Sequence, residues 1–197
     1  KSAGIKTFVI DHTQFDDRNA FDAALMRTID EQQTDLVVLA GFMRILTNAF
    51  VTHYRGKMLN IHPSLLPKYT GLHTHRRVLE AGEREHGATV HFVTEELDGG
   101  PPVIQARIAI APADTEKSLA TKLLAQEHAI YPLAVQWFVQ GRLALESLAS
   151  ENLSPGNLPP DKPAPANTVD KNRHYINRVM LDGQPLPPNG FQYTPQA

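Results

Sequence analysis

Apolar residues recur every four positions at Phe21, Leu25 and Ile29, just behind Asp16 and Asp17. That spacing predicts an amphipathic helix capped by one of the two aspartates. Runs of strand type flank it. Thr7-Phe8-Val9-Ile10 precedes the helix, and Leu36-Val37-Val38-Leu39-Ala40-Gly41 follows it, apolar on both faces as a buried parallel strand is. A helical segment from about Phe42 to Tyr54 comes next. Lys57-Met58-Leu59-Asn60-Ile61-His62 then reads as a strand, stopped by Pro63 and again by Pro67. Strand and helix alternate, which predicts βαβ connections, a mostly parallel sheet and helices on both of its faces.

The second half is patterned differently. Residues 71–87 are polar and rich in His and Arg, with a short helix expected between Thr74 and Ala81. Ala88 to Thr94 alternates as a strand does, and Asp98-Gly99-Gly100-Pro101-Pro102 turns the chain into a partner from Val103 to Ile110. From Asp114 or Thr115 a long helix should run to Gly141. Leu119, Leu123, Ile130 and Trp137 or Phe138 would face inward, and Pro132 should kink it. Asn152 to Thr168 holds five prolines without periodicity, a composition suited to a linker or surface arm. Asp182-Gly183 can close a hairpin in the tail. The organisation expected is therefore a domain over residues 1–148, an arm over 149–174, and a hairpin or tail over 175–197.

The chain has 197 residues, 42% of them hydrophobic and 20% charged, which excludes disorder throughout and suits one globular domain with an appendage. It has no cysteine, so disulfides, Cys-ligated zinc, iron–sulfur clusters and a thiol nucleophile are all excluded. A net charge of −2 is no footprint for duplex nucleic acid or an anionic membrane. The longest apolar runs, Leu36 to Met43 and Ala129 to Val139, fall short of the ~18 residues a spanning helix needs. A cytoplasmic protein acting on small molecules is the expectation.

Asn60 and His62 stand two apart on an extended segment, so both point to one face at the carboxyl end of a strand, where open α/β sheets bind ligands. An amide N–H and an imidazolium are both donors, suited to negative charge developing on a carbonyl oxygen. Asp98, between Leu97 and two glycines, leaves a carboxylate on a loop after a strand, and near His62 it would favour the charged ring. Taken singly, an Asn-x-His is more often a satisfied polar pair, and Asp-Gly-Gly an ordinary turn. His73 and His75 have a spacing a metal could use, but with no further ligand nearby they are read as part of a surface loop.

Together these segments are more specific. The run from Asn60 to Tyr69, then Gly71 to Arg76, Glu85-His86-Gly87, Val90 to Val93 and Leu97 to Pro101 resemble the phosphoribosylglycinamide formyltransferases of purine biosynthesis. Leu39 to Leu46 and Gln126 to Leu133 match as well, and the similarity covers about residues 4–146. The resemblance implies a doubly wound, Rossmann-type α/β fold. It implies an enzyme that moves a formyl group from 10-formyltetrahydrofolate, as co-substrate and without metal, to the amine of 5-phosphoribosylglycinamide. Carried over residue by residue, it makes Asn60, His62 and Asp98 catalytic. It places the folate at Arg18, Met43, Arg44, Ile45, Leu46 and Asn60, and at the loop Thr94, Glu95, Glu96, Leu97 and Asp98. It places the phosphoribosyl substrate at Leu124, Ala125, Gln126 and Glu127. A monomer or weak homodimer is implied, with no nucleic-acid or membrane partner.

Two departures stand out. Lys1 to Ile5 reads as the end of a helix with Gly4 as its left-handed cap, and the family's opening strand and phosphate-binding Gly-Ser-Asn loop have no counterpart. The chain is thus expected to start inside a larger domain. Unpaired edges should lie on both sides of a gap, with stability or activity on a phosphorylated substrate impaired. Thr70 stands where the family commonly has Pro. The competing readings are another user of the same formyl donor, such as formyltetrahydrofolate deformylase or methionyl-tRNA formyltransferase, and an inactive folate-binding remnant.

Overall fold

The structure, a computed structural model, describes residues 3–149 and 175–195. The Pro-rich stretch from Asn152 to Thr168 lies outside the described residues. After a 3-10 turn at His12–Gln14, helix α1 spans Arg18–Asp30. Asp17 is its cap, with the carboxylate accepting from the Ala20 N–H at 2.8 Å. Strand β1 (Val37–Leu39), helix α2 (Asn48–His53) and strand β2 (Met58–His62) follow. Then come α3 (Thr74–Glu80), β3 (Glu85–Phe92) and β4 (Pro102–Ala109). Helix α4 (Glu116–Val139) opens on a capping box between Thr115 and Ser118 and runs through Pro132. Leu119, Leu123, Ile130 and Trp137 face inward as expected.

The main sheet has the order β1-β2-β3-β4-β8, where β8 is Phe191–Tyr193. It is mixed. β1 with β2 and β4 with β8 are parallel, whereas β2 with β3 and β3 with β4 are antiparallel. Helices cover both faces, and the α/β class stands. Alternation along β2 sends Met58 into a cluster with Val37, Phe50, Val51 and Tyr54 on the α1 and α2 side. Leu59 goes the other way, to meet Phe92, Ile104, Leu123 and Ile130 under α4. Phe50 and Phe92 are fully buried, each stabilising by roughly 1.5–3 kcal/mol. A second sheet joins β5 (Leu143–Ala149), β6 (Tyr175–Leu181) and β7 (Gln184–Pro185). Its hairpin turns at Asp182 and Gly183, both at positive φ, as the Asp-Gly pair predicts. Among the described residues no helix is long and apolar enough to cross a membrane.

Two expected elements are not formed. Thr7 to Ile10 is not a strand, because a strand needs a hydrogen-bonded neighbour and this segment has none. Val9 is 95% exposed. β1 correspondingly pairs on one side only, and a trough of about 590 Å³ lined by Ile5, Phe8, Ile10, Phe21, Leu25 and Phe42 lies open between the segment and α1. Gly4 does take the left-handed conformation, with φ of 68°. Phe42 to Leu46 is not helical either, since Thr47 caps α2 through its hydroxyl and starts the helix only at Asn48.

Candidate active site

The carboxyl end of β2 presents Asn60 and His62 on one face, as their spacing requires. The antiparallel register sets Asn60 opposite His91 and His62 opposite Thr89 on β3. The loop after β3 then carries Asp98 back over the pair. His62 Nδ1 lies 3.5 Å from Asp98 Oδ2, with side chains 8% and 9% exposed. The approach depends on Gly100, where an added Cβ would stand 1.8 Å from the Phe92 carbonyl oxygen. Asp98 itself has φ of 52°, a left-handed conformation that Asp tolerates better than most residues.

A second loop, residues 63–73, closes the other side of the pair. The His62 Nε2–H donates to the Tyr69 carbonyl at 2.9 Å, and the Gly71 N–H donates to Asp98 Oδ2 at 2.8 Å. Tyr69, Gly71 and His73 all have positive φ, so this shape needs external support. Beneath it, the Thr89 hydroxyl donates to the Ser64 carbonyl, and Gln105 Nε2 donates to the Leu66 carbonyl. On the outer side, the Arg77 guanidinium donates to the Thr70 carbonyl at 2.6 Å and lies 5.4 Å from the Tyr69 ring centre. Arg77 was absent from the sequence reading, and only the loop's return path reveals it.

His75 and His86 meet behind this loop, with Nδ1 and Nε2 at 2.8 Å. Burial pushes the His86 imidazole down to about 4, and the neighbouring His75 and His62 add to the effect. Burial lowers His75 as well. Sequence reading did not bring His86 to His75. Among the described residues no group of three or more His, Asp or Glu is arranged to hold a metal ion.

In front of the pair opens a cleft of about 110 Å³. Asn60 and Asp98 lie at its floor with His91. Arg44, Ile45 and Leu46 form one wall, and Thr94, Glu95, Glu96 and Leu97 the other. Most of the expected folate set is therefore gathered in one place. Met43 is 75% exposed, and Arg18, the first residue of α1, is exposed as well; neither lines the cleft. Arg44 instead stacks on Phe21, 5.1 Å from the ring centre. Leu124, Ala125, Gln126 and Glu127 lie on α4 outside the cleft. The Glu127 carboxyl is pushed up by burial, and Gln126 Oε1 is buried without a partner. One turn on, the Tyr131 hydroxyl shares its one hydrogen between the carbonyls of Leu39 and Leu59, which ties this helix to the end of β1 and the start of β2. His91 also lines the cleft, and no local sequence signal marks it, because its place depends on the β2–β3 register.

Comparison with known proteins agrees with this geometry. The formyl transferase family matches residues 1–135. A relative, the phosphoribosylglycinamide formyltransferase of Escherichia coli (strain K12), is 47% identical over 191 residues, spanning 97% of this chain and 76% of its own length. The protein of the same name from Haemophilus influenzae is also 47% identical, with the same coverage. Among solved structures, a phosphoribosylglycinamide formyltransferase from Coxiella burnetii matches with a TM-score of 0.79 at 45% identity, over 98% of this chain and 77% of that one.

Proposed function

This chain belongs to the formyl transferase family, and from that premise we propose that it transfers a formyl group from 10-formyltetrahydrofolate to the amine of 5-phosphoribosylglycinamide, a step of purine biosynthesis. One observation carries the reading: a single cleft holds Asn60 and Asp98 together with the Arg44–Leu46 and Thr94–Leu97 walls, and His62 sits directly behind Asp98.

The amine attacks the formyl carbon, and the C=O electrons move to oxygen. Asn60 Nδ2, on the cleft floor, donates to that oxyanion. The His62 Nε2–H is held by the neutral Tyr69 carbonyl and transfers its bond to the oxyanion as charge develops, because a charged acceptor makes the stronger hydrogen bond. Asp98 takes the proton that the new ammonium loses, directly or through a water, and keeps a negative charge beside His62 before attack. The bond from formyl carbon to the folate nitrogen then breaks, and that nitrogen takes up the proton. The pterin edge lies along the backbone of residues 94–98, with Ile45, Leu46 and Leu97 against its rings and Met43 and Arg18 at its outer end. Leu124 to Glu127 face the ribose and phosphate, where half-buried Glu127 can bond sugar hydroxyls. The substrates are small molecules in the cytoplasm, the chain works as a monomer or weak homodimer, and no metal enters the reaction.

The test is to incubate the purified chain with both substrates and follow tetrahydrofolate release together with the formylated amine by mass spectrometry. Stoichiometric appearance of both is expected. Release of free formate independent of the amine would replace this reading with a deformylase, and folate binding without turnover would replace it with a remnant.

A further inference from the structure

We propose that His91 is a positioning residue, which decides that the nitrogen end of the Asn60 amide, not its oxygen end, is offered to the reacting formyl oxygen. The assignment rests on the transfer reaction above. An amide side chain is nearly symmetric in shape but opposite in function at its two ends, one a donor and one an acceptor. Turned over, Asn60 would set an oxygen lone pair against the oxyanion it should stabilise. Nothing in the length or shape of Asn60 prevents that rotation, so a neighbour must.

His91 supplies the constraint through its tautomer. The residue is 2% exposed. Nδ1 lies 2.9 Å from the Phe92 carbonyl oxygen, which can only accept, so Nδ1 carries the hydrogen. In a neutral ring Nε2 is then a bare lone pair, 3.2 Å from Asn60 Nδ2. Of the two ends of the amide only N–H can donate to this lone pair, so the amide nitrogen is drawn to His91 and its second hydrogen is left for the cleft. Burial holds this imidazole below the usual histidine range. The charged groups that face it are few. Asp98 Oδ1 is 3.9 Å from Nε2 and favours protonation, whereas His62 opposes it. A protonated ring would present N–H at both nitrogens and reverse the amide. The Gly100 backbone closes over the same place, where an added Cβ would stand 3.3 Å from His91 Nδ1. Phe92, His91 and Asn60 thus form a directional relay, from a fixed backbone carbonyl to a fixed catalytic donor.

Three measurements test the relay. His91→Leu removes the lone pair. It should lower kcat about ten- to a hundredfold with each KM within about twofold, whereas His91→Gln, whose side-chain oxygen accepts from the same N–H, should recover part of the loss. In an Asn60→Ala background His91→Leu should cost less than about twofold more, because the residue acts through Asn60. Nitrogen-15 spectra of the unsubstituted protein should show His91 protonated at Nδ1 and bare at Nε2 around neutral pH. A folded His91→Leu protein with kcat within about twofold of wild type, additive losses in the double variant, or a ring protonated at Nε2 would each overturn the proposal. Should His91→Leu not fold, the wild-type tautomer decides alone. That spectrum needs no turnover, so a chain that transfers no formyl group defeats the reaction and leaves the ring assignment separately measurable.

Discussion

The floor and the walls of the cleft are held in different ways. On the floor and directly behind it, Asn60, His91, Asp98 and His62 are each bonded to another residue of the group or to backbone, and His62 and His91 are buried. The walls come from loops. Ile45 is 59% exposed and Leu97 56%, with nothing packed over them, and Met43 beside them is barer still. Groups that act on charge developing within a reaction must be oriented beforehand, because reorienting dipoles at that moment adds to the barrier. Groups that cover a flat apolar ligand need no such order, since the ligand itself supplies their missing neighbour.

The strongest way to break this contrast is to remove a donor from the floor. Asn60→Ala and His62→Ala should each fold normally, as judged by circular dichroism, and lose roughly 10²–10³ in kcat. Backbone substitutions sharpen it next. Gly100→Ala places a methyl group against the Phe92 carbonyl, so the Asp98 loop must move. Thermal unfolding should show a loss of about 1–3 kcal/mol, accompanied by a large fall in turnover. Gly41→Ala, behind the Arg44–Leu46 wall, has nothing within 4 Å of the added atom and bears only the left-handed strain of φ 63°. It should cost about 1–2 kcal/mol and leave kcat unchanged.

Acid should act on the support behind the floor. An unfolded histidine titrates near 6.5 and the folded His86 near 4, so the folded state holds fewer protons between those values. Its contribution is complete above pH 6.5, falls as the pH drops toward 4, and is gone below that. The span corresponds to roughly 3–4 kcal/mol, at about 1.4 kcal/mol per unit. Melting temperature measured across this range should fall, and His86→Phe should flatten the fall. The smallest effect belongs to the rim: Met43→Ser should raise the KM for the folate about two- to threefold with kcat unchanged, the pattern of lost uniform binding.

How far the sequence could be read follows from the range of the forces involved. Asp17 and Thr115 capped helices as their positions require, and Asp182-Gly183 closed its hairpin, because each motif is satisfied within three or four residues. Thr7 to Ile10 carried an equally good local signal and formed no strand for want of a neighbour. Phe42 to Leu46 has the apolar content of a helix but lies beside Asp98 as loop. Asn60 and His62 shared a face by alternation alone, whereas bringing Asp98 to them took two loops and a glycine without a side chain.

Local chemistry in the sequence therefore determined the helix starts, the turns, the strand faces and the candidate donors. The tertiary structure alone decided that His91 stands opposite Asn60, that Arg77 braces the loop holding His62, and that the Tyr69 carbonyl occupies the His62 Nε2–H. Each of these depends on the register between strands or on the path by which a loop returns. Such contacts arise from the packing of segments far apart in the chain, and no local pattern encodes them.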